Sequence, residues 1–304
     1  MRTPLVWLPF DPVELADPPE GLRYEVVDPT REVPASVADV SFYVPPYRLD
    51  ASVAQVLPQM SSLDVVQTLT AGVDNIRPHV PEGVRLCSGR GIHDASTAEL
   101  ALTLVLSSLR GVPDLVRAQD RHEWAPRWRP ALADRHVLVV GHGAIGQAIE
   151  ARLLPFEVTL TKVARTARDD VRAIEDLPDL LPEADVVILI VPLTEHTRGL
   201  VDAAFLDRMK DGALLVNMAR GAVVVTDDLV AALHTGRITA AVDVVDPEPL
   251  PPQHALWAAP GLLVSPHVGG ASSAMWPRAR RLVRDQLHRY AAGEPLWNVM
   301  SADR

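Results

Sequence analysis

Cysteine is nearly absent: Cys87 is the only one in 304 residues. One thiol cannot build a disulfide framework or a cysteine-based metal centre, so no metal is expected. Cys87 reads as a small buried hydrophobe at a strand end, and the cytoplasm is the expected compartment. Lysine is scarce too, with Lys162 and Lys210 alone, so almost every cation is an arginine and any single arginine says little. Positive charge is short overall: 29 basic against 39 acidic residues give a formal net charge of −10. A nucleic acid or an anionic membrane would need a basic face, and neither is expected as a partner. No apolar run reaches the roughly 18 residues of a membrane span. The opening MRTPLVWLPFDP lacks the graded regions of a signal peptide. What is plentiful is ordinary for a globular protein, with 48% hydrophobic and 22% charged residues. The length suffices for two domains with proper cores.

Along the chain, short β-branched runs alternate with amphipathic stretches. Strands are expected at 4–8, 24–27, 40–44, 65–68 and 84–87, with a helical segment at 53–60, which suggests a parallel α/β layer. From Ala98 the run AELALTLVLSSLR is apolar nearly all round, as in a helix buried between layers. Six stronger strands follow at 136–140, 157–163, 186–191, 214–218, 240–244 and 262–265. Runs such as DVVILIV suit strands covered on both faces, and helices at 144–153, 203–209 and 227–233 supply the crossovers of a doubly wound sheet. A last helix over 273–292 lies beyond the final strand and is expected to return to the first unit.

The string VLVVGHGAIG puts Gly141, Gly143 and Gly146 between a strand and a helix. The first glycine makes the turn, the second admits a pyrophosphate and the third lets helix and strand pack closely. With Ala144 and Ile145 at the helix start, the pyrophosphate would rest on the positive end of that helix. An NAD-preferring site carries Asp or Glu at the tip of the next strand. Here EVTLTKV runs into Ala164, Arg165, Thr166, Ala167 and Arg168. Arginine forks suit a phosphate dianion, so NADP(H) is the expected cofactor, with NAD(H) as the alternative.

Three later strands end in polar groups where ligands of open α/β sheets bind. LLVNM ends on Met218 and runs into Ala219, Arg220 and Gly221. AAVDVV runs into Asp246, Pro247 and Glu248. LLVSP runs into His267, Val268, Gly269 and Gly270. Histidine carries a proton near neutral pH. A carboxylate beside it orients the ring and favours the imidazolium, while an arginine binds a substrate carboxylate with two parallel bonds. Each residue alone has a structural explanation; together beside a dinucleotide they fit hydride transfer at a carbon bearing oxygen.

With these strings in view, the chain resembles the D-isomer-specific 2-hydroxyacid dehydrogenases. The likeness spans Leu69 to Gly270 and rests on LTAGVDN, STAELALTLVLSSLR, VLVVGHGAIG, VPLTEHTRGL, FLDRMKDGALLVNMARGAVV, AAVDVVDPEPLP, ALW and SPHVGGAS. It implies a Rossmann-type cofactor domain over 98–273 and a second, smaller, discontinuous flavodoxin-like α/β domain from 1–97 and 274–304. It implies Arg220 as substrate clamp, Glu248 as orienting acid and His267 as general acid/base. Backbone amides around Ala71, Gly72 and Val73 would hold the substrate carboxylate. Asp243 would contact the nicotinamide carboxamide, and Val191, Pro192, Leu193 and Thr197 would line the cofactor groove. VARTAR is similar to the NADPH-preferring glyoxylate and hydroxypyruvate reductases of the family. In that branch a tryptophan in the segment HEWAPRW, here Trp124, reaches the neighbouring subunit's active site.

The expected function is thus an NADP-dependent reductase of small 2-keto acids. A non-enzymatic dinucleotide-bound redox sensor or corepressor-like scaffold is the rival reading. A formate-type dehydrogenase is disfavoured, because that branch carries glutamine where Glu248 stands. The apolar helix and aromatic arm of 98–129 offer more surface than a domain crossing needs, and a homodimer is expected.

Overall fold

The computed structural model describes residues 3–300. Strands β1 (Leu5–Leu8), β2 (Arg23–Val26), β3 (Val40–Tyr43), β4 (Val65–Gln67) and β5 (Arg85–Cys87) open the chain. They pair in parallel in the order β2-β1-β3-β4-β5. All four residues of β1 are buried, as an unbroken apolar run covered on both faces requires. The helix expected over 53–60 does not form. Two 3-10 turns, Ala51–Ala54 and Leu57–Gln59, replace it. Pro58 has no N–H for the backbone bond that a continuous helix needs at that point.

Helices α1 (Asp94–Arg110) and α2 (Val112–Asp120) lead into a second sheet. Its elements are β6 (His136–Val140), α3 (Ala144–Leu153), β7 (Thr159–Ala164), β8 (Val171–Ala173), α4 (Leu177–Leu180), β9 (Val186–Leu189), α5 (Ala203–Arg208), β10 (Leu214–Asn217), α6 (Thr226–His234), β11 (Thr239–Val242) and β12 (Leu262–Val264). Helix α7 (Met275–Ala291) closes the chain. The second sheet is parallel throughout, in the order β12-β11-β10-β9-β6-β7-β8. It therefore has seven strands, not the six expected. The extra one, β8, is only three residues long and follows β7 after a crossover of residues 165–170. So short a return between parallel strands is unusual, and VRA carries no apolar run to betray it.

The chain divides into two compact units, Met1–His93 with Ser273–Arg304, and Asp94–Ser272. The division falls one helical turn before the expected Ala98, because the polar start DAST is already helical. In the first unit α7 lays Met275, Ala279, Val283 and Leu287 on one face of the five-stranded sheet. In the second, alternate residues of each strand face opposite layers. Val137 and Val139 pack with α1 and α3, whereas Leu138 and Val140 pack with α5 and α6. Helix α1 is not buried all round within its unit: Ala98, Ala101, Leu102 and Val105 are buried, but Leu100, Leu106 and Leu109 only partly so. Among the described residues no helix is long and apolar enough to cross a membrane.

Candidate active site

The order of the seven-stranded sheet reverses between β6 and β9, and the glycine turn leaves the carboxyl end of β6 at that point. Gly141 stands at φ 112, a conformation closed to most side chains, and a Cβ on it would meet the Ile190 backbone at 2.6 Å. A Cβ on Gly146 would stand 2.2 Å from the Gly141 carbonyl oxygen, so α3 can lie this close to the turn only with glycine there. Gly143 differs. Its φ of −86 is ordinary and no protein atom lies within 4 Å of where its Cβ would be. The protein itself gives no reason for glycine at 143; a group approaching from outside does. Ala144 and Ile145 start α3, whose cap Gly143 offers no side chain to the first amides. Turn and helix end together fit a dinucleotide pyrophosphate.

Ala164 ends β7 half-buried, and Arg165, Thr166 and Arg168 follow it exposed. Arg168 Nη2 donates to the His142 carbonyl at 2.7 Å, which ties this loop to the glycine turn. Two acids, Asp169 and Asp170, come next, and sequence reasoning gave them no part. Asp170 is engaged by Lys162 in an ion pair. Beyond β9, Val191 and Thr197 are buried while Pro192 is exposed and Leu193 half-buried. The Thr197 hydroxyl donates to the Pro192 carbonyl at 2.6 Å and accepts from the Thr194 amide at 2.8 Å, closing that loop on itself.

The three residues expected to act together come from the carboxyl ends of β10, β11 and β12, which are neighbours in the sheet. His267 Nδ1 lies 2.8 Å from Glu248 Oε2. The other Glu248 oxygen accepts from the Val245 amide at 3.0 Å. Burial opposes ionisation of Glu248. The His267 ring and the Val245 amide, with the charges of His267 and Arg220, outweigh it and hold the carboxyl below its ordinary range. His267 has a φ of 53, unusual for a residue other than glycine. Its amide donates to the Asp243 carbonyl at 2.7 Å. The Asp243 carboxylate, 4% exposed, accepts from the Ser265 hydroxyl at 2.6 Å and from the amides of Val268 and Gly269 at 2.9 Å each. Asp243 thus fixes the loop that aims His267.

Met218 and Ala219 are buried, and Arg220 Nη1 donates to the Ala219 carbonyl at 2.8 Å. Buried Asn217 braces this segment, donating to the Arg220 carbonyl and accepting from the Ala219 amide, both at 3.0 Å. Sequence reasoning passed over Asn217 and Ser265. The signal was there, a lone amide in LLVNM and a hydroxyl in LLVSP. Gly269 is buried and Gly270 half-buried behind the His267 loop. Trp124 is not gathered with these residues: it stands 97% exposed on the arm after α2. Ala71, Gly72 and Val73 belong to the other compact unit, in the loop after β4.

Comparison with known proteins gives the family. The family model described as D-isomer specific 2-hydroxyacid dehydrogenase, NAD binding domain, matches residues 102–269. The chain belongs to the D-isomer specific 2-hydroxyacid dehydrogenases. The glyoxylate reductase/hydroxypyruvate reductase of Homo sapiens is 32% identical to this dehydrogenase over 251 residues, covering 78% of this chain and 76% of that one. A D-isomer specific 2-hydroxyacid dehydrogenase from Xanthobacter autotrophicus Py2, solved with NADPH and MES, superposes with a TM-score of 0.82 at 28% identity over 98% of both chains. An NADPH-dependent glyoxylate/hydroxypyruvate reductase from Sinorhizobium meliloti, solved with NADP and sulfate, gives a TM-score of 0.83 at 25% identity over 99% of this chain and 98% of that one. This dehydrogenase is by family an oxidoreductase of small hydroxy and keto acids that binds a nicotinamide dinucleotide, and the scaffold reading finds no support in these relatives.

Proposed function

We propose that this dehydrogenase reduces glyoxylate, hydroxypyruvate or a closely related 2-keto acid with NADPH, in the cytoplasm and as a homodimer. The observation that carries the reading is the His267–Glu248 contact of 2.8 Å, with Arg220 close enough to act on the Glu248 charge, at three adjacent strand ends. The bound dinucleotide would supply the hydride. His267 has its Nδ1 held by Glu248, so Nε2 is the ring atom that gives a proton to the carbonyl oxygen in reduction and takes it back in oxidation. Arg220 binds the substrate carboxylate and polarises the adjacent carbonyl. Asp243 already accepts three bonds. A carboxylate has about four acceptor positions, which leaves it one for the nicotinamide amide. Met218, Ala219, Gly269 and Gly270 flank that end of the dinucleotide, and Val191, Pro192, Leu193 and Thr197 its middle. Trp124 serves the partner's site.

NADPH is favoured because Arg165, Thr166 and Arg168, not an acid, follow Ala164 at the tip of β7. Charge-assisted donors at an exposed site, reduced by screening, support a preference of roughly 10² over NADH. The test is a panel of 2-keto acids followed at the NADPH absorbance, with NADH in parallel, on wild type and Arg165→Ala. Turnover of glyoxylate or hydroxypyruvate with NADPH, and a KM for NADPH that rises in Arg165→Ala while that for NADH holds, is expected. No turnover across the panel defeats the substrate reading; a wild-type preference for NADH defeats the cofactor reading.

A further inference from the structure

Lys162 is one of two lysines in a chain whose other basic residues are arginine, and it is 8% exposed. It lies on β7, one residue before Val163, which faces the opposite core. Its Nζ donates to Glu150 Oε1 on α3 at 2.9 Å and also to the Asp170 carboxylate at the foot of the 165–170 crossover. The second Glu150 oxygen lies 2.7 Å from Nε2 of His142, the residue between the first two glycines of the turn. The ring closes where Arg168 Nη2 donates to the His142 carbonyl at 2.7 Å. Four elements meet here, with the Lys162 ammonium bridging the carboxylates of Asp170 and Glu150.

The crossover needs such pinning. It returns between parallel strands within residues 165–170, with Asp169 at φ 45 and the backbones of Arg168 and Val171 bonded to each other at 3.0 and 2.7 Å. Its sequence mixes Arg165 and Arg168 with Asp169 and Asp170, and which charges meet a ribose depends on how the loop is held. The Lys162 ammonium has three donors on one atom and bridges two carboxylates from different elements. We propose that Lys162 and Glu150 are specificity-positioning residues. They clamp the 165–170 loop onto the glycine turn and keep the Asp170 carboxylate engaged, so that the arginines of the loop stand ready for a 2′-phosphate. The inference rests on the 2′-phosphate reading above.

Titration calorimetry with 2′,5′-ADP and 5′-AMP, which differ only in that phosphate, tests it without turnover. Wild type binds 2′,5′-ADP more tightly. Lys162→Met loses about tenfold in affinity for 2′,5′-ADP and stays within about twofold for 5′-AMP. Adding Asp170→Asn to Lys162→Met recovers part of the loss, because the released acid is gone. Should Lys162→Met not fold, Glu150→Gln carries the same expectation for the two nucleotides. Equal loss for both, or no loss for either, overturns the clamp alone. A wild type that does not prefer 2′,5′-ADP overturns the 2′-phosphate reading and the clamp with it.

Discussion

His267 sits in a left-handed backbone conformation because Asp243 holds the chain on both sides of it, through its carbonyl and its carboxylate. Strain at a functional side chain is stored by the surroundings that over-determine it. The ring is therefore aimed before any substrate arrives, and His267→Ala should lower kcat by about 10² to 10⁴. Glu248 sets the pH range. Its carboxyl is held below the ordinary range, so it is ionised above that range and loses its charge only as pH falls through the depressed value. Reductive kcat should therefore hold as pH falls until that depressed value and drop below it, and Glu248→Gln, which has no carboxyl there to titrate, should lower kcat and lose that acid limb. A pH profile with that limb unmoved would separate Glu248 from the proton transfer. That Arg220, Glu248 and His267 share one edge of the sheet was legible because each lies in the polar loop that follows an apolar strand. The Lys162 network was not, since its members lie on β7, on α3, in the turn and in the loop, and no sequence spacing joins them.

At the scale of elements, the long strands announced themselves and the short return did not. Four of the seven strands of the larger sheet are runs of four or five mostly buried residues, and apolar content alone located them. β8 is held by its neighbour's register, Lys162 opposite Val171, and not by its own composition. Another feature invisible in sequence is how closely the ends of β10 and β11 approach. A Cβ on Gly221 would stand 1.9 Å from the Val245 carbonyl oxygen. Backbone cannot yield as a side-chain tip can, so Gly221→Ala should cost about 2–4 kcal/mol in chemical denaturation. Because the Val245 amide anchors Glu248 at 3.0 Å, the same change should lower kcat at temperatures where the variant is still folded. Wild-type stability together with wild-type kcat would show that the two strand ends separate without consequence.

Across the whole molecule, most buried apolar surface lies in four core clusters, yet one stretch holds its apolar side chains outward. Val112, Leu115 and Val116 on α2 are 40%, 55% and 53% exposed, and Trp124 and Trp128 on the following arm are 97% and 102% exposed. The arm is not a loose tail. Arg129 at its far end forms an ion pair with Asp114 on α2, and a Cβ on Gly111 would meet the Arg129 guanidinium at 2.6 Å. A segment presenting two tryptophans and three aliphatic residues to solvent is a candidate surface for a partner. A two-fold dimer is the economical way to cover it, since one patch then serves both subunits. Light scattering at micromolar concentration should give about twice the 33.0 kDa chain mass. Leu115→Glu with Val116→Glu places charge at the centre of the patch and should leave a folded chain of single mass, because neither side chain belongs to a core. A wild type that scatters as one chain would sink the dimer, and a double variant that still scatters as two would move the interface off α2.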